Sequence, residues 1–185
     1  TGIDSITAGT GDDLIDLSGV KIVANGDKIT DFEDAGAVVG DVIKLEADDT
    51  SDGTAAGSAP VITTISTAAV ADGEAYALGD TDTADIFELT VNDGSGDLSA
   101  ATTGTELVKT LAGTGTDAAA ITGKASTNFY ILAYDTGAGG ENEAYLYYVA
   151  NDNNTAILAA EILLVATFED GVAAGAFVAE DFILG

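Results

Sequence analysis

The first residues read Thr1-Gly2-Ile3-Asp4-Ser5-Ile6-Thr7-Ala8-Gly9-Thr10-Gly11-Asp12-Asp13-Leu14-Ile15-Asp16. Laid on the nine-residue pattern G-G-x-G-x-D-x-U-x, in which U is aliphatic, Gly9, Gly11, Asp13 and Ile15 take the second, fourth, sixth and eighth places. Nine residues earlier, Gly2, Asp4 and Ile6 take the last three of those places. The spacing has a physical logic. Glycines turn the backbone tightly so that carbonyls point inward, aspartate supplies a hard carboxylate oxygen, and the aliphatic residue two places on buries a short strand. Such units bind a cation only when stacked.

The tetrad Asp-x-Ile-x persists beyond the glycines. It recurs as Asp4-Ser5-Ile6-Thr7, Asp13-Leu14-Ile15-Asp16, Asp27-Lys28-Ile29-Thr30 and Asp41-Val42-Ile43-Lys44, its step growing from nine residues to fourteen. Asn25 to Phe32 and Gly40 to Leu45 look like a segment that closes a repeat array. In these features the chain resembles the nonapeptide-repeat calcium-binding proteins exported by type I secretion, the RTX or haemolysin-type family. The end of the chain is similar to that family's C-terminal end, with the apolar run Ile162 to Phe168 and then Ala179-Glu180-Asp181-Phe182-Ile183-Leu184. The resemblance leaves roughly residues 46 to 125 unexplained.

What the resemblance implies is a calcium β-roll, Ca2+ as the bound ion, a type I exporter as a transient partner, and an uncleaved C-terminal signal. It places the carboxylates of Asp4 and Asp13 at the ligand position, with carbonyls of the glycine turns around Gly2, Gly9 and Gly11 completing the shell. A full site of this kind needs loops two repeats apart. Either turns upstream in a longer parent or Asp27 and its loop supply the missing turn. The run Asn92-Asp93-Gly94-Ser95-Gly96-Asp97 places oxygens at alternate positions, as the first half of a calcium loop does, and adds Asp93 and Asp97 to the candidates. No bidentate glutamate follows it, and a plain Gly/Asp turn is the competing reading. Asp12 and Asp16 read as outward, solvated charges.

Composition narrows the function classes. Of 185 residues, 32 are acidic and five are lysine, with no arginine or histidine, for a formal charge of -27. Nucleic acid and anionic membranes need basic surfaces, so neither is an expected partner. Crowded carboxylates oppose compaction, and divalent cations relieve that repulsion. Solubility or adaptation to salt is the plainer reading of the same charge. Cysteine is absent, which removes disulfides and thiolate metal sites. Residues 1 to 30 lack a basic start followed by an apolar run, so no cleavable N-terminal signal peptide is expected. The longest apolar stretch, Ala156 to Phe168, is interrupted by Glu161 and too short to span a bilayer as a helix.

The expected fold class is mainly β: a short degenerate calcium β-roll leading into a β-sandwich or β-meander domain with at most one short helix. Residues 1–45 form the repeat and its closing segment, and residues 46–185 the β-rich remainder, with one continuous domain as the alternative. Asn25-Gly26 reads as the turn of a strand-turn-strand unit over residues 20 to 45. Further strands are predicted at Val61 to Ile65, Ala84 to Val91, Phe129 to Tyr134, Glu143 to Val149 and Ala156 to Phe168. Leu107, Val108 and Leu111 form one helical stripe over residues 103–113. All the tyrosines but Tyr76 fall in the later strands and read as cross-strand packing.

Enzymatic readings fare poorly. Asp135-Thr136-Gly137 spells the aspartic-protease triplet, but that chemistry needs two such carboxylates sharing a proton, and no second copy exists. Without histidine or cysteine there is no usual base for a serine nucleophile and no soft or imidazole ligand for zinc. The expectation is a non-enzymatic extracellular structural protein that folds on calcium after export. It would self-assemble as a homo-oligomer or polymer, in a surface layer, matrix or filament, through edge strands and calcium. The alternatives are a C-terminal secretion and folding module of a larger exported enzyme or toxin, and an adhesin module.

Overall fold

The structure is a computed structural model, and it describes residues 3–18, 26–33, 40–46, 60, 62–65, 75–77, 84–89, 120–122, 128–135, 143–150, 161–169, 172 and 175–185. The fold is mainly β, as expected, with a 3-10 turn at Ala179–Asp181 before the last strand. The helix predicted over residues 103–113 lies outside them.

Near the N-terminus four short strands alternate between two sheets. β1 (Ser5–Thr7) and β3 (Asp27–Thr30) pair in parallel in one sheet, and β2 (Leu14–Asp16) and β4 (Val42–Leu45) pair in parallel in the other. The chain thus winds in coils, one strand per side. The third coil comes from the far end of the sequence: β11 (Ile162–Phe168) adds in parallel to β3, and β12 (Phe182–Leu184) adds in parallel to β4. Residues of 1–45 and of 46–185 therefore share both sheets.

Register explains the tetrad. Ile6 pairs with Ile29, which pairs with Phe168; across the core Ile15 pairs with Ile43, which pairs with Phe182. Ile29 and Ile43 are fully buried, and burial of each such side chain contributes about 1.5–3 kcal/mol. Phe177 joins the two sides, its ring centroid 5.0 Å from that of Phe168 and 5.5 Å from that of Phe182.

The sheet containing β1 has seven strands in the order β1-β3-β11-β10-β9-β7-β5, where β10 is Glu143–Val149, β9 Phe129–Asp135, β7 Ile86–Leu89 and β5 Ile62–Ile65. β9, β10 and β11 form an antiparallel meander, whereas β5, β7 and β9 are parallel. The strands between them in sequence, β6 (Ala75–Ala77) and β8 (Ala120–Thr122), pair in parallel in a separate sheet. The alternation seen at the N-terminus is thus repeated at the other edge, and β10 is the one strand of the seven that runs against the rest. Every residue of β10 is buried, Glu143 included, which fits the apolar run Ala144–Val149 and a strand covered on both faces. Tyr130 and Tyr148 are cross-strand partners with ring centroids 5.4 Å apart, as cross-strand packing predicts.

One sequence expectation is corrected. β3 has parallel neighbours on both sides, so Asn25-Gly26 does not turn a hairpin onto it. Gly26 serves close approach instead. A Cβ there would lie 2.6 Å from the carbonyl carbon of Val165, and Val165 is the extra residue where the pairing of β10 with β11 shifts between Leu146 and Tyr147. The bulge pushes its main chain toward β3, and only glycine leaves it room.

Candidate functional site

The candidate site is the turn that carries the chain from β1 to β2, residues 8–13, beside the next coil. Gly9 has φ +89° and Gly11 φ +123°, backbone states that side-chain-bearing residues rarely adopt. Nothing lies within 4 Å of where a Cβ would sit at either, so conformation and not crowding demands glycine. On the following coil Asp31 also takes a left-handed conformation, with φ 57°. Asp12, Asp13, Asp31 and Glu33 are all exposed. This face therefore combines carboxylates with the carbonyls of a glycine turn, all hard oxygen donors of the kind Ca2+ takes.

The tetrad aspartates divide into two roles. On the second coil, Asp27 Oδ1 accepts a hydrogen bond from the Asp4 N–H at 2.9 Å, and Asp41 Oδ1 accepts one from the Asp13 N–H at 3.1 Å. Asp41 Oδ2 accepts a third from the Glu33 N–H at 2.9 Å, and Asp41 is fully buried. These carboxylates tie one coil to the coil before it. On the first coil, Asp4 and Asp13 are exposed. Sequence reasoning grouped Asp4, Asp13 and Asp27 as ligands; the structure separates the buried Asp27 from the exposed pair. Asp181 bonds locally instead, its Oδ2 accepting from the Val178 N–H three residues before it at 2.7 Å. Asp181-Phe182-Ile183-Leu184 spells the same tetrad, but Phe182, not Ile183, pairs with Ile43, so the register there is shifted by one.

Other charges serve the coils from outside. Asp16 and Lys44 are register partners, with Lys44 Nζ 3.2 Å from Asp16 Oδ2. The hydrogen bond from the Ser18 hydroxyl holds the Asp16 carboxyl below its ordinary value, with the Ser18 N–H and Lys44 acting in the same sense. Lys28 pairs with Glu169 across β3 and β11. In the core, the Tyr134 hydroxyl donates to Glu88 and the Tyr145 hydroxyl donates to Glu143. Burial, and then Glu88, push the Tyr134 phenol well above its ordinary range.

Among the described residues no three acidic side chains converge closely enough to hold a metal ion. A cation at the 8–13 turn would draw on Asp13 and on main-chain carbonyls together. Gly2, Asp93 and Asp97, and the Thr136-Gly137 part of the protease-like triplet, lie outside the described residues. No helix of the described residues is long and apolar enough to cross a membrane. No protein-family model, curated protein or solved structure matches the chain.

Proposed function

We propose that the chain is a non-enzymatic, extracellular, calcium-responsive structural domain. The observation that carries this reading is the turn at residues 8–13. Its two glycines lie at positive φ, and it joins β1 and β2, which lie in different sheets and each pair in parallel with a strand of the next coil, the arrangement that stacks such turns on one side of a coil. The exposed carboxylates of Asp12 and Asp13 and the carbonyls of Gly9 and Gly11 are the donors offered to the ion.

The net charge of -27 sets the mechanism. Carboxylate repulsion opposes folding where calcium is scarce, and ion binding to the folded state favours it by mass action after export. Circular dichroism and thermal melting in excess chelator and in millimolar calcium test the reading. A rise in Tm with calcium that is reduced in Asp13→Ala is expected; identical curves in the two conditions would overturn it.

A further inference from the structure

We infer that Asp41 is the positioning residue of the 8–13 turn: it acts on the cation through the main chain of Asp13, and it ties that turn to Glu33 on the next coil. The inference rests on the calcium reading of this turn and gives Asp41 a role other than that of ligand.

The turn is fastened to the second coil at both of its ends. At its start the Ala8 N–H donates to the Thr30 carbonyl at 3.2 Å. At its end both main-chain groups of Asp13 are engaged: its N–H donates to Asp41 Oδ1 at 3.1 Å, and its carbonyl accepts from the Val42 N–H at 2.8 Å. The Asp13 side chain therefore leaves the backbone from a fixed point. Between the two ends, Gly9 and Gly11 have φ +89° and +123°, conformations that bend the turn but bring no side chain to hold it. Holding falls to the fastenings, and of these the bond to Asp41 is the one a side chain makes.

The same carboxylate has a second grip. Asp41 Oδ2 accepts from the Glu33 N–H at 2.9 Å, and the Asp41 N–H donates to the Glu33 carbonyl at 2.9 Å. Asp13 and Glu33 are thus bonded to the two oxygens of one carboxylate, and that carboxylate is fully buried, where water does not replace a lost bond. Glu33 follows Phe32, whose ring centroid lies 5.2 Å from that of Phe168 and 5.4 Å from that of Phe177. A cation that orders Asp13 on Asp41 orders Glu33 as well, and linkage makes the effect reciprocal. Asparagine would keep the length and one acceptor oxygen but turn an NH2 group toward one of the two N–H donors.

Asp27 provides the internal comparison. It grips Asp4 in the same way, with Asp27 Oδ1 accepting from the Asp4 N–H at 2.9 Å and the Lys28 N–H donating to the Asp4 carbonyl at 2.8 Å. Asp4 precedes β1, so this grip lies at the opposite end of that strand from the turn.

Calorimetric titration of the full chain with calcium chloride, and amide hydrogen exchange with and without calcium, test the assignment. Asp41→Asn should weaken calcium binding about tenfold or more, the size of a lost hydrogen bond to a buried charged group, and Asp27→Asn by less than about threefold. In the wild type, calcium should slow exchange at the Asp13 and Glu33 amides by a common factor, beyond any slowing at the Asp4 amide. That measurement needs no variant, so it decides even where Asp41→Asn fails to fold. Calcium binding as tight in folded Asp41→Asn as in wild type, equal weakening by the two variants, or protection of Asp13 without Glu33 would each overturn the inference and leave the ion reading in place. A wild type that binds no calcium and changes at no amide would overturn the ion reading, and the inference with it.

Discussion

A carboxylate at the start of a strand does different work depending on which coil carries it. Asp41 is fully buried and receives two main-chain N–H groups, from Asp13 and Glu33, so its removal strands both donors. Asp41→Ala should cost about 2–3 kcal/mol of stability, read as a drop in the denaturation midpoint, whereas Asp12→Ala at an exposed position should cost far less in the absence of calcium. The Tyr147 hydroxyl is buried and makes no hydrogen bond among the described residues. Tyr147→Phe should therefore be neutral or stabilising by about 1 kcal/mol at neutral pH. Burial also raises the phenol's pKa above its ordinary 10.0. The sign follows: below that value the phenol is protonated in both states, and above it the unfolded chain ionises first, so stability falls as the pH rises past 10.0. Alkaline unfolding monitored by circular dichroism should begin at higher pH in Tyr147→Phe.

At the scale of the element, the strands are short and their stability comes from stacking. β1 and β2 have three residues each and would not persist alone. They are held by the isoleucine ladders and by the aspartate bonds between coils. β3 is the element on which both ends of the chain meet, and Gly26 sets how closely β11 approaches it. Gly26→Ala should destabilise by about 1–3 kcal/mol, because the clash is with main chain that cannot rotate away. The same substitution at Gly9 or Gly11 meets no atom and acts through backbone strain alone, for a cost of order 1 kcal/mol. Comparing melts of the three variants separates crowding from conformation.

At the scale of the molecule, two sets of parallel coils flank one reversed strand, and the chain carries a formal charge of -27. Sodium chloride screens exposed charges generally, while calcium at millimolar concentration adds little ionic strength. A calcium effect on Tm that persists in 0.15 M sodium chloride, on the order of the physiological value, is therefore the expected mark of specific ligation. An effect abolished by the salt would mark simple screening.

The strand positions were legible in the residues except at β6, β8 and β12, for which the sequence raised no strand expectation. Aliphatic residues two places after each aspartate, glycines spaced for a left-handed turn and the apolar runs around the tyrosines are local signals, and local sterics and hydrophobicity suffice to read them. Partner choice was not legible. That β11 and β12 complete the first coils depends on contacts between the two ends of the chain, which leave no periodic trace in sequence. Asn25-Gly26 shows the same limit, because a turn signal and a glycine kept small for a passing strand are written with the same residue. The aspartates show it most clearly. Their spacing in Asp-x-Ile-x follows from the repeat, but that Asp27 and Asp41 receive the amides of Asp4 and Asp13 is decided by how one coil stacks on the other, a contact across more than twenty residues.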